Sequence, residues 1–325
     1  MKKAKYILLL LVVLILIAIG LRILIPKAEN AVDKNTPLNN FNQKDSIKIN
    51  GISPAGITYK IKDIKAITSE NYYAAPVWSP DGNSILVTEA GYKGLYLIDV
   101  SNNKVRKLND IQGAGYNAVW SLDSKQIYFR NKKENQDYSS KLEVNSIDVN
   151  SGKISIHPEI NPDGLLSYFM AKDTISPIVY TNTKTLLIEA QTFDKSKTWV
   201  ITKDPGQYYQ AILSPDRTKI VLHNRGEMFV YSVDGSGLIS SLGRGIACSW
   251  SSDSKQILYF LGEDDGHFKT GSELYLCSSD GLNKWKLTNT PDVYEMFPSW
   301  SPDNKKIVYS DDKSGKIFIA DLVKQ

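Results

Sequence analysis

Cysteine and histidine are scarce in this chain, with two of the first and three of the second among 325 residues. Cys248 and Cys277 form no CxxC pair and no metal-ligand spacing. Both fall in apolar, strand-like runs, which fits two buried thiols better than a disulfide, since buried cysteine packs as a small hydrophobe. His157, His223 and His267 lie far apart, and no Ser/His/Asp or Cys/His arrangement emerges around them. A phosphate-binding glycine loop and a G-x-S-x-G nucleophile elbow are missing too. Neither a metal nor a cofactor is therefore expected. Charge of one sign is also lacking. A formal charge of +4, with lysines and acids interspersed, argues against nucleic acid, which calls for a concentrated basic patch.

What is present begins at the amino end. Lys2, Lys3 and Lys5 precede an unbroken apolar run from Tyr6 to Leu21, and beyond Arg22 the triplet Ile23-Leu24-Ile25 extends it to Pro26. A secretory signal core is typically ~7–15 residues long and ends at a small-residue cleavage site, which this exit does not offer. The run approaches the ~20 residues that span a bilayer, with Arg22 placed to snorkel to the far interface. Residues 1–26 thus read as an uncleaved signal-anchor, crossing the membrane through residues 7–25, with a cleaved signal as the alternative. Lysines ahead of the span put the amino terminus in the cytoplasm and everything after the span outside it. Residues 27–56 are polar, rich in Asn, Lys and Asp, and without hydrophobic period, as a flexible linker would be.

From residue 57 onward one short motif recurs. Trp78-Ser79-Pro80-Asp81 and Trp300-Ser301-Pro302-Asp303 are near copies. Looser ones stand at Trp120-Ser121-Leu122-Asp123, Leu213-Ser214-Pro215-Asp216 and Trp250-Ser251-Ser252-Asp253. The intervals are 42 residues from 78 to 120, 37 from 213 to 250 and 50 from 250 to 300, the period of propeller blades. The gap of 93 from 120 to 213 holds a sixth copy, found by aligning Phe169-Met170-Ala171-Lys172-Asp173 on the motif. Its weak point is Pro177, which falls inside an expected strand although proline has no N–H to give a ladder. Asp81, Asp123, Asp173, Asp216, Asp253 and Asp303 then share one position. Proline, aspartate and glycine in such a turn each have a conformational use, so these acids read as structural.

Each repeat resolves into four short strands, A to D, except the last, which has no D strand before Gln325. An unpaired strand-like segment, Ile57 to Ile67, stands ahead of the first repeat and is expected to supply it. The expectation is an all-β, six-bladed β-propeller over residues 57–325, with four-stranded antiparallel blades and the last blade closed by the amino-terminal strand.

The motif, the following strand Gly94-Leu95-Tyr96-Leu97-Ile98-Asp99-Val100 and endings such as Lys284-Trp285-Lys286-Leu287-Thr288 resemble the WD40-like PD40 repeat of TolB-type six-bladed propellers. The resemblance covers roughly residues 57–325. It lacks the α/β domain that precedes the propeller in TolB, so TolB's partners are not implied.

In a propeller the D-to-A and B-to-C connections gather on one face around the central channel. The D-to-A connections carry Tyr72 and Tyr73, Tyr116 with Asn117, Tyr208 and Tyr209 with Gln210, and Tyr294 with Glu295 and Met296, while the fifth blade offers Arg244. Phenols and amides around one mouth suit a glycan or an extended peptide. The same rings could equally pack blade on blade, and both readings stand at this point. The B-to-C connection 262–272, with Glu263, Asp264, Asp265 and His267, lacks the fixed ligand spacing of a calcium loop. The function expected is a membrane-anchored, extracytoplasmic, non-catalytic binding module for a protein, peptide or cell-wall glycan. The alternative is a propeller enzyme of lyase or glycosidase type working at the channel mouth.

Overall fold

The computed structural model describes residues 56–134, 140–164, 177–264, 269–291 and 293–325. The expected anchor, the linker up to residue 55 and Asp173 lie outside the described residues. No helix among the described residues is long and apolar enough to cross a membrane.

The strands assemble into six antiparallel sheets, the blades of a propeller. After β1 (Tyr59–Ala66), blade 1 comprises β2 (Tyr73–Trp78), β3 (Ser84–Glu89), β4 (Lys93–Asp99) and β5 (Val105–Asn109). Blade 2 follows with β6 (Val119–Trp120), β7 (Gln126–Glu134), β8 (Ser140–Asp148) and β9 (Ile154–Ile156). Blade 3 has three described strands, β10 (Ile178–Thr181), β11 (Ile188–Gln191) and β12 (Thr198–Val200). Pro177 stands just before β10 instead of within it, so no ladder bond is lost there. Blade 4 is β13 (Tyr208–Leu213), β14 (Lys219–Asn224), β15 (Glu227–Ser232) and β16 (Leu238–Arg244). Blade 5 is β17 (Ile246–Trp250), β18 (Gln256–Asp264), β19 (Lys269–Ser278) and β20 (Lys284–Lys286). Blade 6 contains β21 (Glu295–Trp300), β22 (Lys306–Asp311) and β23 (Lys316–Lys324), and β1 completes it by pairing antiparallel with β23.

The motif does in the structure what its turn chemistry implies. Ser79 Oγ donates to Asp81 Oδ1 at 2.6 Å and accepts the Ser84 N–H at 2.9 Å, while Asp81 Oδ1 also accepts the Asn83 N–H at 3.0 Å. The Ser-to-Asp bond recurs at Ser121–Asp123, Ser214–Asp216, Ser251–Asp253 and Ser301–Asp303. Partial burial alone would raise the Asp216 carboxyl, but bonds from Ser214 and Thr218, with Lys219 nearby, outweigh it and hold the pKa at about 2. The same turns latch blade to blade. Asp81 N–H donates to Ser124 Oγ at 3.0 Å and Asp216 N–H to Ser254 Oγ at 2.9 Å.

Apolar strand faces meet between blades, so the core lies in the seams. Ile85, Val87, Tyr96 and Ile98 of blade 1 pack with Val308 and Ile317 of blade 6, and Val221, Met228 and Val230 of blade 4 pack with Trp250, Ile257 and Cys277 of blade 5. The motif tryptophans insert here. Trp120 Nε1 donates to Val77 O in blade 1 and Trp250 Nε1 to Ile212 O in blade 4, at 3.3 and 3.0 Å.

Candidate functional site

Inner strands β2, β13 and β21 each carry a bulge, with pairing broken between Ala74 and Val77, Tyr209 and Ile212, and Met296 and Ser299. At each bulge one residue is left-handed, namely Ala75 (φ 50°), Gln210 (φ 51°) and Phe297 (φ 52°). Asn117 (φ 53°) takes the equivalent place ahead of Trp120. All four stand three residues before the Trp position, and a bulge re-aims its side chain relative to the regular pleat. Their side chains line a central channel of about 540 Å³, together with Ile246, Cys248 and Pro298. The channel wall is thus mainly apolar. Both cysteines are free thiols, but they differ from the expectation of two buried ones. Cys277 is buried in the seam between blades 4 and 5, whereas Cys248 is half-buried in the channel wall, because the β17 bulge between Ala247 and Ser249 shifts its register.

A second cavity, of about 580 Å³, opens off the channel mouth between blades 2, 3 and 4. Tyr116, Asn117, Tyr209 and Gln210 line both spaces. Arg130 and Lys132 of β7 and Tyr180 of β10 complete its polar side. Tyr116 and Tyr209 are 50% and 40% exposed, which separates them from the other described tyrosines. Tyr116 stands edge-on to Tyr92 at 5.1 Å, and the Arg130 guanidinium lies 5.9 Å from its ring centre. Its position depends on Gly115, because a Cβ there would fall 2.2 Å from Thr88 Oγ1. Tyr209 stacks on His223 at 5.3 Å. Tyr180 donates to Glu189 at 3.0 Å, and burial together with that bond pushes its phenol up to about 12.

The other sequence-selected residues serve packing or hold the rim. Tyr73 is buried and meets Tyr96 at 5.4 Å, and buried Tyr208 meets Tyr231 at 6.3 Å. Tyr72 donates to Asp312 Oδ1 at 2.5 Å across the seam between blades 1 and 6, and burial and that carboxylate raise its phenol. Tyr294 lies half-buried with Lys313 Nζ 5.6 Å from its ring centre. Glu295 is buried, accepting from Thr290 and, at 3.3 Å, from Thr288. Arg244 is exposed at the end of β16 and lines neither cavity. His223 is fully buried, its Nε2 accepting the Ala247 N–H at 2.9 Å, so its proton sits on Nδ1. Asp81, Asp123, Asp216, Asp253 and Asp303 all sit in the A-to-B turns, at the end of the blades opposite the mouth. No group of three or more His, Cys, Asp and Glu side chains converges as a metal site among the described residues. Asp265 and His267 lie outside the described residues.

Arg130, Lys132, Tyr180 and Phe297 were not selected from sequence as site residues. The first three lie on second strands, whose side chains near the mouth carry no motif. Phe297 had a positional signal, three residues ahead of the Trp site, but no residue-type signal.

No protein-family model and no curated protein matches the chain. Solved structures do match. They include a putative TolB from Agrobacterium tumefaciens (17% identity, covering 83% of this chain and 99% of that one, TM-score 0.49). An oligogalacturonate lyase from Vibrio parahaemolyticus matches at 14% identity, with 78% and 79% covered and a TM-score of 0.43. A chain of a mitotic checkpoint complex matches at 11% identity, with 92% and 99% covered and a TM-score of 0.51. The fold is a six-bladed β-propeller. Likeness at these identities speaks to fold alone.

Proposed function

We propose that the chain is a membrane-anchored, extracytoplasmic binding module that takes up a protein, peptide or cell-wall glycan on its tyrosine-bearing face. The observation that carries this reading is the convergence of exposed Tyr116 and Tyr209, from the starts of blades 2 and 4, on cavities they share with Asn117 and Gln210. Two phenol rings standing free of the core supply apolar area, and the amides supply orientation. Side chains that only pack blades look different here, as buried Tyr73 and Tyr208 do. No observation among the described residues favours lyase or glycosidase chemistry. His223 is sealed under Tyr209, and Asp163 is the one carboxylate among the described residues lining either cavity.

The test is crosslinking of the full chain in its own cells. A species captured by the wild type should be lost from the Tyr116→Ala/Tyr209→Ala variant, which should keep the wild-type melting temperature. Capture that survives both changes removes this face as the docking surface. Anchoring is tested by alkaline extraction of membranes, in which the full chain should stay with the lipid and be digested by protease added outside the cytoplasm.

A further inference from the structure

We propose that the cavity between blades 2, 3 and 4 binds an oxyanion, a carboxylate or phosphate group carried by the ligand. Arg130 lines this cavity. Its Nε–H donates to Pro162 O at 2.7 Å, and Nη1 reaches Tyr116 O only at 3.5 Å. Neither acceptor carries charge, and Nη2 has no hydrogen-bond partner among the described residues. Asp163 is close enough to be felt electrostatically, but no carboxylate among the described residues forms an ion pair with the guanidinium. Burial bears on Arg130 and lowers its pKa, yet a guanidinium stays charged in any protein setting. A partly desolvated cation with no ion-paired carboxylate among the described residues is costly, and an anion entering the cavity relieves that cost. The free edge of the planar fork suits the two oxygens of a carboxylate or phosphate. Lys132 follows two residues later on the same strand, so the pleat carries it to the same face. It lines the same cavity and adds a second, exposed cation. The Tyr116 ring, 5.9 Å from the guanidinium carbon, steadies the fork from one side.

This inference rests on the binding face proposed above and adds the charge of what binds there. The test titrates the protein with sodium malonate and with sodium phosphate, holding ionic strength constant with chloride, and follows the melting temperature. The wild type should show a saturable rise with at least one anion, as linkage to a native-state site requires. Preference for malonate assigns a carboxylate ligand, and preference for phosphate a phosphate-bearing one. Arg130→Gln should abolish the response, and Lys132→Ala should weaken apparent affinity by up to about fivefold, the scale of one exposed ion pair. If Arg130→Gln does not fold, the Arg130 Nε–H resonance of the wild type should shift on adding the anion. A response no larger than that to chloride, or one undiminished in a folded Arg130→Gln, overturns the proposal. Loss of partner capture in the tyrosine variant with no anion response would leave a binding module for an uncharged ligand.

Discussion

His223 and Glu295 are both buried, and burial moves their titrations to opposite effect on stability. Burial pulls His223 down to about 4, from an ordinary 6.5, against the backbone carbonyls of Tyr209 and Gln210, which favour its proton. The folded value lies below the unfolded one. An unfolded chain therefore takes up a proton between 6.5 and 4 that the fold refuses. Stability from this residue is complete above pH 6.5 and drains away as pH falls through 4, by about 3 kcal/mol at one unit per 1.36 kcal/mol. His223→Gln, which can still accept the Ala247 N–H, should flatten urea-measured stability across that window. An unchanged slope would mean that the imidazole is not sealed. Glu295 runs the other way. Burial and the nearby Glu273 push it up to about 7, against the hydrogen bonds from Thr290 and Thr288. Its contribution is complete below the unfolded value of 4.5 and is lost as pH rises through 7. Glu295→Gln keeps an acceptor for Thr290 without the charge, and should gain about 2 kcal/mol on the wild type at pH 8 relative to pH 5. Equal gains at both values would point to packing instead.

The A-to-B turn shows which elements a sequence can disclose. Its chemistry is local, since Ser, Pro and Asp act on backbone within five residues, so the turns and the strands beside them could be read without a structure. Ser214 is the buried hub of one copy, donating to Asp216 at 2.6 Å and accepting the Lys219 N–H at 3.0 Å. Ser214→Ala strands both partners and should cost about 1–3 kcal/mol by the midpoint of chemical denaturation. Pro215→Ala in the same turn acts mainly through the unfolded chain and should cost less, about 0.4–1 kcal/mol. The reverse order would show that the turn is held by its proline and not by its hydrogen bonds. The inner-strand bulges were not legible. A left-handed position is usually signalled by glycine, yet Ala75, Asn117, Gln210 and Phe297 occupy it, held there by the sheet on either side. The division of the tyrosines was hidden for a related reason. Tyr208 and Tyr209 are adjacent in sequence and point to opposite faces of β13, so one is core and the other is surface.

Closure of the ring sets the stability of the whole molecule, and blade 6 is where it is made. Among the described strands, only this blade draws on both ends of the chain, with Tyr59 opposite Lys324 and Lys60 opposite Val323. Thr58 and Gln325 exchange backbone bonds at 3.0 and 2.8 Å, and Trp285 Nε1 fixes Ile57 O at 3.1 Å. The seams on either side of this blade lack the tryptophan bond found at two others. Trp300 and Trp78 occupy the places of Trp250 and Trp120, but their buried Nε1 atoms find no acceptor, whereas the other two reach the preceding blade. Separation of β1 from β23 would expose a sheet edge and open the ring in a single step. A Lys60→Cys/Val323→Cys pair joins the two strands across nearly the full chain length. A crosslink of that span constrains the unfolded chain by on the order of 4–5 kcal/mol in the chain-entropy picture. The oxidised protein should therefore melt several degrees above its own reduced form. Removing residues 57–66 should lower the melting temperature sharply and drive association through the bare edge of β23, seen as a larger species on size-exclusion chromatography. If the crosslink leaves melting unchanged and the shortened chain stays monomeric and folded, the ring yields first at some other seam, and the unsatisfied tryptophans beside blade 6 do not mark its weak point.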